Sequence, residues 1–181
     1  MTIGRRDMMG QSAAALVLAS IGGTTAWMSA AEAGARGAAL RRLTEGEAAW
    51  IAGLGEAIAP PSRAAGLVHY LDHHLALPAG ESLLALRYLD VAPPWLDFYR
   101  PALASLVRIH GAVPPPADDA RWAPILAGLG GPDPAGWQGP PSGLFLFALR
   151  LDAIDIAYGT KDGFARLGVD YLAHIEPETD W

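Results

Sequence analysis

Residues 142–158, SGLFLFALRLDAIDIAY, read as the strongest helix of the chain. At 3.6 residues per turn, Leu144, Phe145, Phe147, Leu149, Leu151, Ile154 and Ile156 occupy most of its circumference, which predicts a central, buried helix. Only Arg150, Asp152 and Asp155 break the apolar surface. An unpaired buried charge costs several kcal/mol, so these three require partners. Asp152 and Asp155 lie about one turn apart, a spacing open to acid–base work, but ion pairing with an arginine in this chain or across an interface is the favoured reading. Gly159 is expected as a left-handed cap at the helix end.

Outward from this helix the chain from about residue 34 reads as helices punctuated by proline and glycine. Thr44-Glu45-Gly46-Glu47 is a capping box that opens a helix carrying Trp50, Ile51, Leu54 and Ile58 and ending at Pro60-Pro61. A second helix is predicted from about Arg63 to Leu77, with Leu67, Leu71 and Leu75 in register. A third covers about Glu81 to Leu89, and a fourth starts near Trp95 with Pro101 in its first turns. Pro114-Pro115-Pro116 forces an extended linker, a short helix lies near Asp119 to Leu129, and Gly128 to Pro141 is loop. A last turn spans Gly163 to Leu167, before a tail that ends at Trp181. The expected fold is all-α: a single compact, irregular domain over 34–181, with about five to six helices, long Pro/Gly-rich loops and an extended tail.

Residues 1–33 read as an address. Arg5-Arg6 stand before a moderately apolar, uncharged stretch that Gly10, Gly22 and Gly23 interrupt, and Ala31-Glu32-Ala33 follows where a signal peptidase cuts. This pattern is that of a twin-arginine signal segment, removed after Ala33 or kept as an anchor, since residues 8–28 just suffice to span a bilayer. The implied location is the periplasm.

Composition closes several chemistries. With no cysteine in 181 residues, disulfides, thiolate metal sites, iron–sulfur ligation and a Cys-x-x-Cys-His haem attachment are excluded. Met1, Met8, Met9 and Met28 all precede residue 34, so no later methionine can ligate haem iron. A net charge of −6, spread without blocks, argues against nucleic acid as a partner. No dinucleotide glycine fingerprint, phosphate loop or serine elbow occurs; Ser62, Ser105 and Ser142 lack the sharp-turn context.

His69, Asp72 and His73 share one helical face at i, i+3 and i+4 and could hold a metal, although no fourth ligand is indicated; His74 points to the apolar stripe. His110 and His174 are isolated and read as structural. Trp95, Phe98, Tyr99, Trp122, Trp137 and Trp181 are either interface anchors or the cover of a small core, and the sequence leaves both open.

The twin-arginine leader, the opening LTEGEAAWIAGLGEAIAPP, the AGLVHYLDHHLAL helix and the C-terminal FALRLDAIDIAYGTKDGFARLGVDYLAHIEP with Trp181 together resemble the gluconate 2-dehydrogenase subunit 3 family. The proline-rich section 112–141 departs from that pattern. The resemblance implies a non-catalytic small subunit of a membrane-associated dehydrogenase. Its large subunit would be a glucose-methanol-choline type flavoprotein carrying FAD, with a multihaem cytochrome c holding c-type haem as a possible third component. No cofactor, metal or catalytic residue would belong to this chain. It would support folding, stability and twin-arginine co-export of the flavoprotein, with Arg5 and Arg6 read by the translocase. Arg150, Asp152, Asp155, Tyr158, Phe164, Tyr171, His174 and Trp181 are the candidate partner interface. The rival reading is a free-standing periplasmic helical protein that binds a small ligand or metal through His69, Asp72 and His73.

Overall fold

The computed structural model describes residues 16–170. Arg5, Arg6, Tyr171, His174 and Trp181 lie outside them. The described chain is mostly helical, with seven α-helices, one 3₁₀ turn and one small antiparallel hairpin.

The hairpin is the departure from an all-α fold. Strands β1 (Leu16–Ile21) and β2 (Thr24–Ser29) pair antiparallel, with Ile21 opposite Thr24 and Leu16 opposite Ser29. Gly22 and Gly23 connect them with φ of 55° and 81°, as a two-residue turn of type I′ requires at both central positions. One face of the ribbon is core: Val17, Ala19 and Met28 are buried, whereas Trp27 is exposed. Helix α1 (Ala30–Ala35) follows at once, its first turn capped by Ser29, whose Oγ accepts from Glu32 N–H at 3.0 Å.

Helix α2 (Glu45–Ile58) begins at the predicted capping box. Glu47 N–H donates to Thr44 Oγ1 at 3.2 Å and Thr44 N–H to Glu47 Oε2 at 2.7 Å. Trp50, Ile51 and Leu54 are wholly buried. Helix α3 (Leu67–Leu75) is shorter than its periodicity predicts, because Arg63–Gly66 forms turns and Gly66 sits at φ 89°. The expected helix over 81–89 reduces to a 3₁₀ turn, Ala85–Tyr88. Its backbone donors go elsewhere: Leu83 N–H to His74 Nδ1 at 3.3 Å and Ala85 N–H to Asp152 Oδ1 at 2.9 Å. An α-helix over the same residues would need the Ala85 N–H for its own ladder, to the Glu81 carbonyl, whereas Leu83 N–H would fall in its unpaired first turn.

Helix α4 (Leu96–His110) contains Pro101, and α5 (Trp122–Leu129) follows the proline linker. Helix α6 (Ser142–Tyr158) has the predicted bounds, and a short α7 (Lys161–Arg166) closes the described chain. Gly159 is not left-handed; its φ is −75°. Glycine is needed there for room, since a Cβ would lie 2.6 Å from the Asp155 carbonyl oxygen.

Helix α6 is the centre, packing against α2, α3, α4, α5, α7 and the 3₁₀ turn. Phe145, Ala148, Leu149 and Ala153 have no exposed surface and knit these elements into one core. The large aromatics belong mainly to that core. Trp95 and Trp122 are buried and donate their indole N–H groups to the Val91 carbonyl at 2.8 Å and the Pro116 carbonyl at 2.7 Å.

Candidate functional site

The polar face of α3 carries His69, Asp72 and His73, the residue types of a metal-ligand set. Asp72 is buried, and its carboxylate accepts three successive backbone N–H groups: Arg41 at 2.7 Å, Arg42 at 2.8 Å and Leu43 at 2.8 Å. His69 Nε2 lies 3.0 Å from the Ala38 carbonyl, and His73 Nδ1 accepts from Leu18 N–H at 3.3 Å. The three side chains therefore reach three separate stretches of backbone rather than one common point. Among the described residues no cluster of three or more His, Asp or Glu side chains is arranged to hold a metal ion. This face fastens the segment before α2 onto α3.

Burial holds the His73 imidazole below its usual pKa, helped by Arg41 and opposed by Asp72. His74, packed edge-on against Tyr70 at 4.5 Å, is pushed down to about 4 by burial and by His73. Both rings use Nδ1 as an acceptor, so protonation would set an N–H against the Leu18 and Leu83 amides.

Asp152 departs from the expected ion pairing. It is buried and has no arginine partner among the described residues. Instead Ala85 N–H donates to Oδ1, and the Tyr99 hydroxyl donates to Oδ2 at 3.2 Å. Burial raises its pKa to about 7, against the lowering effect of those two hydrogen bonds. Two neutral donors replace the expected cation because Ala85 and Tyr99 are brought beside Asp152 from 67 and 53 positions away. Asp155 is exposed, with a pKa raised by partial desolvation, and Arg150 is exposed on the same helix. Asp152 and Asp155 do not face a shared cleft: one is sealed in the core and the other stands at the surface. Asp152 is thus removed from the candidate interface, and its role is to tie the 3₁₀ turn and α4 to α6.

The outward side of α6 is the site the geometry builds. Phe147, Leu151 and Ile154 are 46%, 39% and 44% exposed, although the opposite side of the same helix is core. Half-buried Leu144 and Tyr158 extend the row at both ends. The spacing 144, 147, 151, 154, 158 alternates three and four, the a/d pattern that seats one helix against another. The row covers roughly 21 Å at 1.5 Å per residue. Tyr158 is fixed by donating its hydroxyl to the Pro60 carbonyl, and Arg150 and Asp155 flank the row with opposite charges. Leu167 and Val169, 58% and 53% exposed, lie in the chain just beyond α7, where Phe164 is half-buried. The apolar residues over most of its circumference predict a central, buried helix; the structure buries one side and leaves an apolar stripe exposed on the other.

A separate groove of about 790 Å³ lies between α2, α3 and the connection before α2. Its lining is mainly small and aliphatic, including Ala48, Ala52 and Val68, with Thr44, Glu45, Arg63 and His69 contributing polar groups. His69 Nε2 already faces the Ala38 carbonyl.

No family model, no curated protein and no solved structure matches this chain.

Proposed function

We propose that this chain is the non-catalytic small subunit of a periplasmic, FAD-dependent dehydrogenase complex of the glucose-methanol-choline type. In this reading it docks on the flavoprotein through the outward side of α6 and carries the twin-arginine signal under which both polypeptides are exported. The observation that supports it best is the row Phe147, Leu151 and Ile154, exposed at helical spacing on the helix that anchors the core. A contiguous, ordered apolar stripe rimmed by polar groups is the surface a partner helix uses. The resemblance of the leader and of residues 43–61, 65–77 and 147–177 with Trp181 to the gluconate 2-dehydrogenase small subunit supplies the partner's class.

Asp72 and Asp152 have their oxygens occupied by backbone and tyrosine donors. Each is a fastening, and neither presents a reactive group to an open cleft.

The experiment is co-purification of the tagged full chain with the neighbouring flavoprotein from the periplasm, for the natural sequence and for Leu151→Glu. The expected result is a complex with the natural chain and its loss in the variant, with the variant's circular dichroism unchanged. A chain that comes down alone, while the flavoprotein is exported normally without it, sinks the reading. Replacing Arg5 and Arg6 by lysine is expected to strand both polypeptides in the cytoplasm.

A further inference from the structure

The geometry points to residues 16–35 being a permanent part of the folded domain, kept in the exported protein, with the Ala31-Glu32-Ala33 cleavage pattern closed to signal peptidase by the fold. It rests on the export reading above and not on docking to a flavoprotein.

Three independent contacts hold the segment. First, β1 and β2 put Val17, Ala19 and Met28 into the same core as Trp50, Leu67 and Leu71. Second, α1 lies so close to the start of α3 that a Cβ on Gly66 would be 2.2 Å from the Ala30 carbonyl oxygen and 2.5 Å from the Ala31 nitrogen. Only a residue without a side chain permits that approach, and only glycine adopts the Gly66 φ of 89° without strain. Third, α3 reaches back with side chains: His73 accepts from Leu18 N–H, and Trp27 stacks edge-on against the His73 ring at 5.5 Å.

The bond after Ala33 is itself protected. Ala30 and Ala33 have no exposed surface. Residues 30–35 are helical, and the Ala33 carbonyl, the one a peptidase must attack, accepts from Ala38 N–H at 2.9 Å. Proteolysis concentrates where backbone is exposed and free of hydrogen bonds. Here the cut requires unravelling α1 and lifting the hairpin from the core. Loss of residues up to Ala33 would also uncover the α3 face that they close.

The test is the intact mass of the full chain recovered from the periplasm of a bacterium with a working twin-arginine translocase. A chain that begins at or before Leu16 upholds the inference, and one that begins at Gly34 overturns it. If no chain reaches the periplasm, hydrogen exchange on the full chain purified from the cytoplasm decides. The Leu18 and Ala38 amides are expected to exchange about 100-fold or more slower than in an unstructured peptide. Exchange at the unstructured rate overturns the inference.

Discussion

The Tyr99 hydroxyl donates to Oδ2 of Asp152 inside the core, and the same carboxyl group takes the Ala85 amide on its other oxygen. With Tyr99, Tyr70 and Asp155 as titratable neighbours and burial dominant, Asp152 holds its proton up to about pH 7 in the folded protein, against 3.8 in its ordinary state. The folded state therefore binds more protons than the unfolded chain across that window. Stability from this group is full below pH 3.8 and is lost as pH rises through about 7. The loss is on the order of a few kcal/mol. Asp152→Asn keeps the acceptor for Ala85 and removes the titration, so its melting temperature is expected to lack this downward component. Thermal melts of both proteins between about pH 4 and about pH 8 check it.

His74 works in the opposite direction. Its folded pKa of about 4 lies below the ordinary 6.5, so the unfolded chain binds the extra proton and stability falls as pH drops from 6.5 toward 4. His74→Asn retains an acceptor for Leu83 N–H and cannot titrate. The variant is expected to lose less stability than the natural chain on acidification, measured by urea unfolding at two pH values. Equal losses would assign the acid sensitivity elsewhere.

Asp72→Ala strips the acceptor from three consecutive amides, those of Arg41, Arg42 and Leu43. Of the three only the Leu43 amide is buried, and one unsatisfied buried group costs about 1–3 kcal/mol, so a loss of that order is expected. Denaturant titration reads the loss. Hydrogen exchange should show the three amides opening ahead of the α6 core.

The two sides of α6 separate by substitution. Leu149→Ala, on the buried side, is expected to cost about 2–5 kcal/mol. Leu151→Ala, on the outward side, should change the stability of the isolated chain by less than about 1 kcal/mol. If the two costs were equal, the outward row would be core, and its assignment to a partner would fail.

Local rules made much of the fold legible. The capping box at Thr44 and Glu47, the stop at Pro60-Pro61 and the bounds of Ser142–Tyr158 each follow from a few adjacent residues, and each is found where the sequence places it. The hairpin was missed because Gly22-Gly23 read as gaps in an apolar leader. Flanked by Ile21 and Thr24, the same pair is a turn signal for two short strands. Asp152 showed that it needed partners, but Ala85 and Tyr99 come from other elements, and no spacing within α6 names them. The outward row was hidden for a different reason: a helix apolar on all sides looks the same in sequence whether its own chain or another covers it.

The outward row and the core share one rigid rod, and this ties recognition to folding. A ligand that binds only the native rod raises folding stability by RT ln(1 + [L]/Kd), about 2.7 kcal/mol when the ligand is present at 100 times its Kd. A protein that seats itself on Phe147, Leu151 and Ile154 would thus lower the population of opened chains and slow their removal by proteases. Cellular abundance of this polypeptide would then track that of its mate, with no dedicated regulator needed to match the two.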